Sequence, residues 1–154
     1  MTGRELLDAL NSTSDSFGAI SEYCVAPDFR ESIPRYCFFV EPRGELGRSL
    51  SSPASYVGQL TRVPRLCAPG PTPTSVSQEI HAYLQRHNEN YLRDTQAGKI
   101  APPVARVLRQ GTYGEFRDWK VHVTGMAAGQ IKVPPVVWDE ELRDWLAARV
   151  VEEF

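Results

Sequence analysis

Five consecutive residues, Tyr36-Cys37-Phe38-Phe39-Val40, constrain this chain more than any other feature. The run has no polar alternation, so it reads as a strand of the kind buried on both faces of its sheet. Any fold for the chain must therefore cover that strand. With 154 residues the chain is long enough for one domain with a real core and too short for two comfortable ones. Its 42% hydrophobic and 23% charged residues are those of a soluble globular protein. A formal charge of -2 provides no footprint for nucleic acid. No apolar run reaches membrane-spanning length, and the N-terminus lacks the uninterrupted apolar stretch of a signal peptide. Cys24, Cys37 and Cys67 are odd in number and lack CxxC spacing, which points to a reduced, cytoplasmic protein.

The remaining elements follow from spacing. Thr2 and Glu5 form a capping-box pattern ahead of Leu6, Leu7 and Leu10, which share one face of a short helix. Phe17 to Val25 suits a strand broken at Pro27 and Asp28, and Ile33-Pro34 opens the Tyr36 strand, with which it can pair. Residues 43–74 are rich in serine, glycine and proline and predict a long loop inserted in the domain. Thr74 or Ser75 caps a helix that carries Val76, Ile80, Tyr83, Leu84 and Tyr91 on one face as far as Arg93. Val104 to Leu108 is a strand entered through Pro102-Pro103. Gly111-Thr112 starts a further helix, with Phe116, Trp119 and Val123 inward and Gly125 at its end. Asp139 caps a last helix with an apolar stripe of Leu142, Trp145, Leu146 and Val150. The fold class is α+β: a single domain, 1–154, with a small mixed β-sheet flanked by helices.

Little in the chain has the form of a complete catalytic site. Gly44 and Gly47 lack the companion glycine and the strand-to-helix setting of a phosphate loop. His81, His87 and His122 lack metal-site spacing and carboxylate partners, which makes them structural or solvated. Cys24 and Cys37 sit in apolar runs as buried, inert thiols. Glu140-Glu141 and Glu152-Glu153 are solvated helix faces. Lys132 stands apart. It follows the slim stretch Gly125-Met126-Ala127-Ala128-Gly129-Gln130 and precedes the stiff Val133-Pro134, so one compact cation is presented on a loop able to approach a ligand.

Gly125, Gln130, Lys132, Val133 and Pro134, followed by Arg149, Val150 and Val151, resemble the C-terminal end of the auxin-responsive acyl acid amido synthetases. These are plant enzymes with bacterial relatives, and the likeness is to one of the latter. Upstream, Pro102, Arg106 and Val107 match the family's strand, Gly111-Thr112-Tyr113 its helix start, and Glu22-Tyr23, Ile33-Pro34, Tyr36 and Glu41 its opening strand pair. The likeness covers most of the chain outside 43–74. It implies an ATP-dependent ligase in which a carboxylate attacks the α-phosphate of Mg-ATP and an amine then displaces AMP from the acyl-adenylate. The resemblance makes this chain the C-terminal lid domain. An N-terminal adenylation domain, in cis or in trans, would bind most of the ATP and Mg2+ as well as the acyl acid and amino acid. Lys132 would be the catalytic residue at the nucleotide, with Gln130 setting the loop and contributing to ATP binding; no metal site is expected on this chain. The sequence departs from the family pattern at Pro135, where the family has arginine. A lid also implies an exposed apolar docking face. The other class of function is a non-catalytic binding or interaction module that reuses the fold.

Overall fold

In the computed structural model, which describes residues 3–13, 19–43 and 73–154, the Tyr36 run lies within β2 (Arg35–Pro42) of a four-stranded mixed sheet. The strand order is β1 (Ile20–Asp28), β2, β3 (Val104–Leu108), β4 (Val150–Glu153). The β2–β3 pair is parallel and the two outer pairs are antiparallel. The expected long loop at 43–74 falls almost wholly outside the described residues, as do Thr2, Phe17 and Cys67.

Successive side chains of a strand point to opposite faces, and here both faces are apolar. Phe38 and Val40 meet Val25, Ala105 and Val107 on one face. That face lies under α1 (Gly3–Asn11), α2 (Pro73–His87) and α3 (Glu89–Gln96), which contribute Leu10, Ile80, Leu84 and Tyr91. Cys37 and Phe39 turn the other way and join Cys24, Ala26 and Leu108 beneath α4 (Thr112–Thr124) and α5 (Glu140–Ala147). The unbroken apolar run is thus the middle layer of a helix–sheet–helix arrangement, and the α+β expectation holds. Burying each phenylalanine contributes about 1.5–3 kcal/mol, and β2 contributes two.

Four local expectations are corrected. The helix expected to run from Thr74 to Arg93 is two helices, α2 and α3, because Asn88 takes an extended backbone and its side chain accepts the Tyr91 N–H at 2.9 Å as a new N-cap. Pro27 and Asp28 do not end β1 but belong to it. β1 is the outermost strand, where a missing N–H is tolerated. Val150 does not extend the last helix. Val150-Val151 begins β4, which pairs with β3 and carries Glu152 and Glu153 along a ladder instead of a helix face. Finally, Trp119 and Val123 do not point inward: only the first turns of α4 lie on the sheet, so Tyr113 and Phe116 are buried while those two are exposed.

Charged side chains fix the β3–β4 register. Arg106 is buried beside Asp28, at 3.4 Å, and pairs with Glu153 across the ladder, its guanidinium 5.8 Å from the Phe39 ring centroid. Asp28 also accepts from the Arg30 Nε–H at 2.8 Å and the Arg30 backbone N–H at 3.1 Å. The Arg30 hydrogen bond holds the Asp28 carboxyl below its ordinary value of 3.8, against the opposing effect of burial. A carboxyl lowered in the folded state stabilises the fold above its unfolded value and loses that contribution as pH falls through the folded one. Acid titration monitored by circular dichroism should therefore show the wild type losing stability below about pH 4 more steeply than Asp28→Asn. Parallel acid limbs in the two proteins would refute this assignment.

Candidate functional site

The Lys132 loop is positioned by the elements at its two ends. Upstream, α4 is fixed at its N-terminus by Glu41, a buried carboxylate from β2 that accepts the Gly111 N–H at 3.0 Å and the Tyr113 N–H at 2.9 Å. Free N–H groups and the positive end of the helix dipole make this a favourable place for an anion. Gly111 allows the approach by adopting φ +87°, a left-handed conformation that other residues rarely take. The Tyr113 hydroxyl donates to the Phe39 carbonyl oxygen at 2.9 Å, and Arg117 pairs with Glu22 of β1. Arg149 ties α4 to α5: its Nε–H donates to Glu115 at 3.2 Å, and its guanidinium lies 3.5 Å from the Trp145 ring centroid. The second half of α4 then projects past the sheet and ends at Gly125, another left-handed residue (φ +69°).

Downstream, the chain returns to the sheet edge. The Val25 N–H of β1 donates to the Pro135 carbonyl at 3.0 Å and the Val137 N–H donates to the Val25 carbonyl at 2.8 Å. The two bonds form a parallel bridge along the outer edge of β1, and Val137 is buried in the core beneath it. Pro135 contributes its carbonyl and is thereby a docking point for the loop's exit. Between these anchors Ala128–Gln130 forms one 3₁₀ turn, closed by the Gln130 N–H to the Ala127 carbonyl at 2.9 Å.

Lys132 is exposed, and no described residue forms an ion pair or hydrogen bond with it. Gln130 and Lys132 both line an open concavity of about 520 Å³ between α4 and the 130–142 segment. Sequence reasoning missed Lys120 and Trp138, which line it too. The Lys120 ammonium lies 4.8 Å from the Trp119 ring centroid and 5.9 Å from that of Phe116. Spacing on α4 offered a clue to Lys120, four residues beyond Phe116 on the same face. Trp138 is 74% exposed and, with Val123 at 61%, Trp119 and Met126, gives this end of the domain an uncovered apolar surface.

The other candidates are structural. Burial pushes the Cys24 thiol up to about 12 and raises that of Cys37 further, so neither is a nucleophile at neutral pH. His81 Nδ1 is 2.8 Å from the Tyr91 hydroxyl, and His87 stacks on Tyr83. Glu140 and Glu141 are solvated in the first turn of α5, whose N-cap, Asp139, accepts the Glu141 and Leu142 N–H groups. Among the described residues no group of three or more His, Cys, Asp or Glu is placed to hold a metal ion, and no helix is long and apolar enough to cross a membrane.

A family model described as the GH3 family C-terminal domain matches residues 4–141. Among solved structures the chain resembles the GH3.15 acyl acid amido synthetase, with a TM-score of 0.72 and 16% identity over 97% of this chain and 25% of that one. It also resembles the AtGH3.15 acyl acid amido synthetase in complex with 2,4-DB, with a TM-score of 0.69 and 16% identity over 98% of this chain and 23% of that one. At this identity the likeness is one of fold, and the chain spans about a quarter of the length of these structures. No curated protein matches it.

If Glu41 holds α4, Glu41→Gln should cost about 1–2 kcal/mol in urea unfolding with an unchanged denaturant slope. A loss under about 0.5 kcal/mol, the level of an ordinary surface change, would mean that α4 is held mainly by Tyr113 and Phe116. The uncovered apolar surface should bind a hydrophobic fluorescent dye in the native state. Val123→Ser with Trp138→Ser should reduce that signal severalfold without lowering the melting temperature; an unchanged signal would place the dye elsewhere.

Proposed function

Because the chain belongs to the GH3 family, as its C-terminal domain, we propose that it is the lid of an ATP-dependent acyl acid–amino acid amide synthetase and acts in the cytoplasm. An N-terminal adenylation domain, in cis or in trans, binds ATP and Mg2+, and the lid brings Lys132 to the nucleotide. The observation that carries this reading is the presentation of Lys132: an exposed cation without a partner among the described residues, on a loop anchored at both ends and surrounded by uncovered apolar side chains. A lysine with no partner among the described residues is available to another domain's ligand, and the apolar surface around it suits closure against that domain.

In the first step an acyl carboxylate oxygen attacks the α-phosphorus of ATP, forming the acyl–phosphate bond as the bond to pyrophosphate breaks. Negative charge grows on the phosphate oxygens, and the Lys132 ammonium offsets it from a fixed position. In the second step an amine attacks the acyl carbon and AMP leaves, giving the amide. Gln130 acts by holding the turn that aims Lys132. The described residues of this chain supply no cluster suited to Mg2+, so the reading assigns the metal to the adenylation domain.

The reading is tested by ATP–pyrophosphate exchange with the lid and an adenylation domain together. Lys132→Ala should lower exchange by about 10²–10³-fold, the range for removing one group that stabilises transition-state charge. Its melting temperature should match the wild type, since Lys132 is exposed and has no described partner. Full exchange by the variant would remove Lys132 from the chemistry. Exchange that does not need this chain at all would favour a non-catalytic interaction module.

A further inference from the structure

Among the described residues nothing bonds to Lys132, so its own side chain does not determine where it stands. A charge that stabilises a transition state has to be held in place before the reaction begins. The residues on either side supply the hold. Exposure alternates along this stretch: Ile131 is half-buried, Lys132 exposed and Val133 half-buried again. Such alternation belongs to extended backbone, in which neighbouring side chains point to opposite sides. Ile131 has that backbone, with φ −85° and ψ 114°, and the proline at 134 confines Val133 to the same region.

Val133 packs against the buried cluster that contains Cys24, Ala26, Phe39 and Val137. Ile131 is among the residues lining the concavity beside α4, with Phe116 and Leu142. Lys132 is thus the outward residue between two apolar side chains drawn in toward the domain. We infer that Ile131 and Val133 are positioning residues: their burial holds the Lys132 backbone in one place, with the lysine turned to solvent. The inference rests on the reading of Lys132 as the cation that the lid brings to the nucleotide. Ordering an extended residue costs conformational entropy, and apolar burial on both sides of it offsets that cost. Pro134 and Pro135 stiffen the stretch from Val133 to the Val25 bridge, so the packed valine and the two bridge hydrogen bonds act as one unit. Such control matters because a misplacement on the order of 1 Å costs about 10²-fold in rate.

The test has one arm on the chain alone and one in the assembled enzyme. On the chain alone, backbone amide relaxation should give the Lys132 N–H an order parameter of about 0.85, that of rigid backbone. Ile131→Ala with Val133→Ala should lower it to about 0.6. The exchanged pair Ile131→Val with Val133→Ile, which keeps the total apolar volume, should retain the wild-type order. Circular dichroism confirms folding, and Val133→Ala alone serves if the alanine pair does not fold. In ATP–pyrophosphate exchange with an adenylation domain, the alanine pair should lose about tenfold to a hundredfold in kcat with an unchanged KM for ATP. Made in the Lys132→Ala background, the same pair should cost nothing further, because the anchors act through the lysine. An order parameter that the alanine pair leaves unchanged, or an equal loss of exchange with and without Lys132, would overturn the inference. Full exchange by Lys132→Ala alone would refute the lid reading, and the relaxation arm would still decide whether Ile131 and Val133 hold the loop.

Discussion

The Glu41 carboxylate holds together two parts of the molecule that have no covalent reason to be close. It belongs to the central, doubly buried strand, yet its two hydrogen bonds go to the first N–H groups of α4. A carboxylate this well buried is stable only where donors replace its lost water, and a helix N-terminus supplies them together with a favourable dipole. The same contact seats Tyr113 so that its hydroxyl reaches the Phe39 carbonyl. Once the first turn of α4 is fixed, the direction of the whole helix is fixed as well. The projecting second half, the Gly125 turn and the Lys132 loop inherit that direction, so a strand residue far from the loop determines where the lysine is presented.

Three sets of charged side chains serve the fold. Arg106, Asp28 and Glu153 hold β3, β1 and β4 in register, Arg117 and Glu22 join α4 to β1, and Arg149 and Glu115 join α4 to α5. Several residues that carry the family resemblance, namely Glu22, Glu41, Arg106 and Arg149, thus act as structural contacts. Lys132 has no such structural contact among the described residues. Its charge is neither offset by a described neighbour nor built into a strand or helix contact, and that contrast separates a group available for chemistry from groups already committed to the fold.

Features encoded over short distances were legible in the sequence. The Tyr36 run declares its burial because each of its residues is apolar, and Gly125 and Asp139 declare helix ends because their local chemistry suits a cap. Lys132 and Gln130 were legible for the same reason, as one loop with one cation. What depended on packing was not. Val150 continues the helical spacing of Leu142 and Leu146, and only pairing with β3 makes it a strand. Trp119 and Val123 have core spacing with Phe116, but α4 has left the sheet by the time it reaches them. Lys120 and Trp138 become site residues because the chain folds back on itself at Val25, a closure that no local pattern announces.

That closure at Val25 bears on self-association. The outer edge of β1 would otherwise offer free N–H and C=O groups to a strand of any neighbouring molecule. The Pro135–Val137 segment occupies that edge with two hydrogen bonds, and Pro134 and Pro135 have no N–H with which to donate further ones. The stretch that anchors the lysine loop therefore also caps the sheet. Slack introduced there would uncover an adhesive strand edge, so the length of this loop is limited by aggregation as well as by where it must place Lys132.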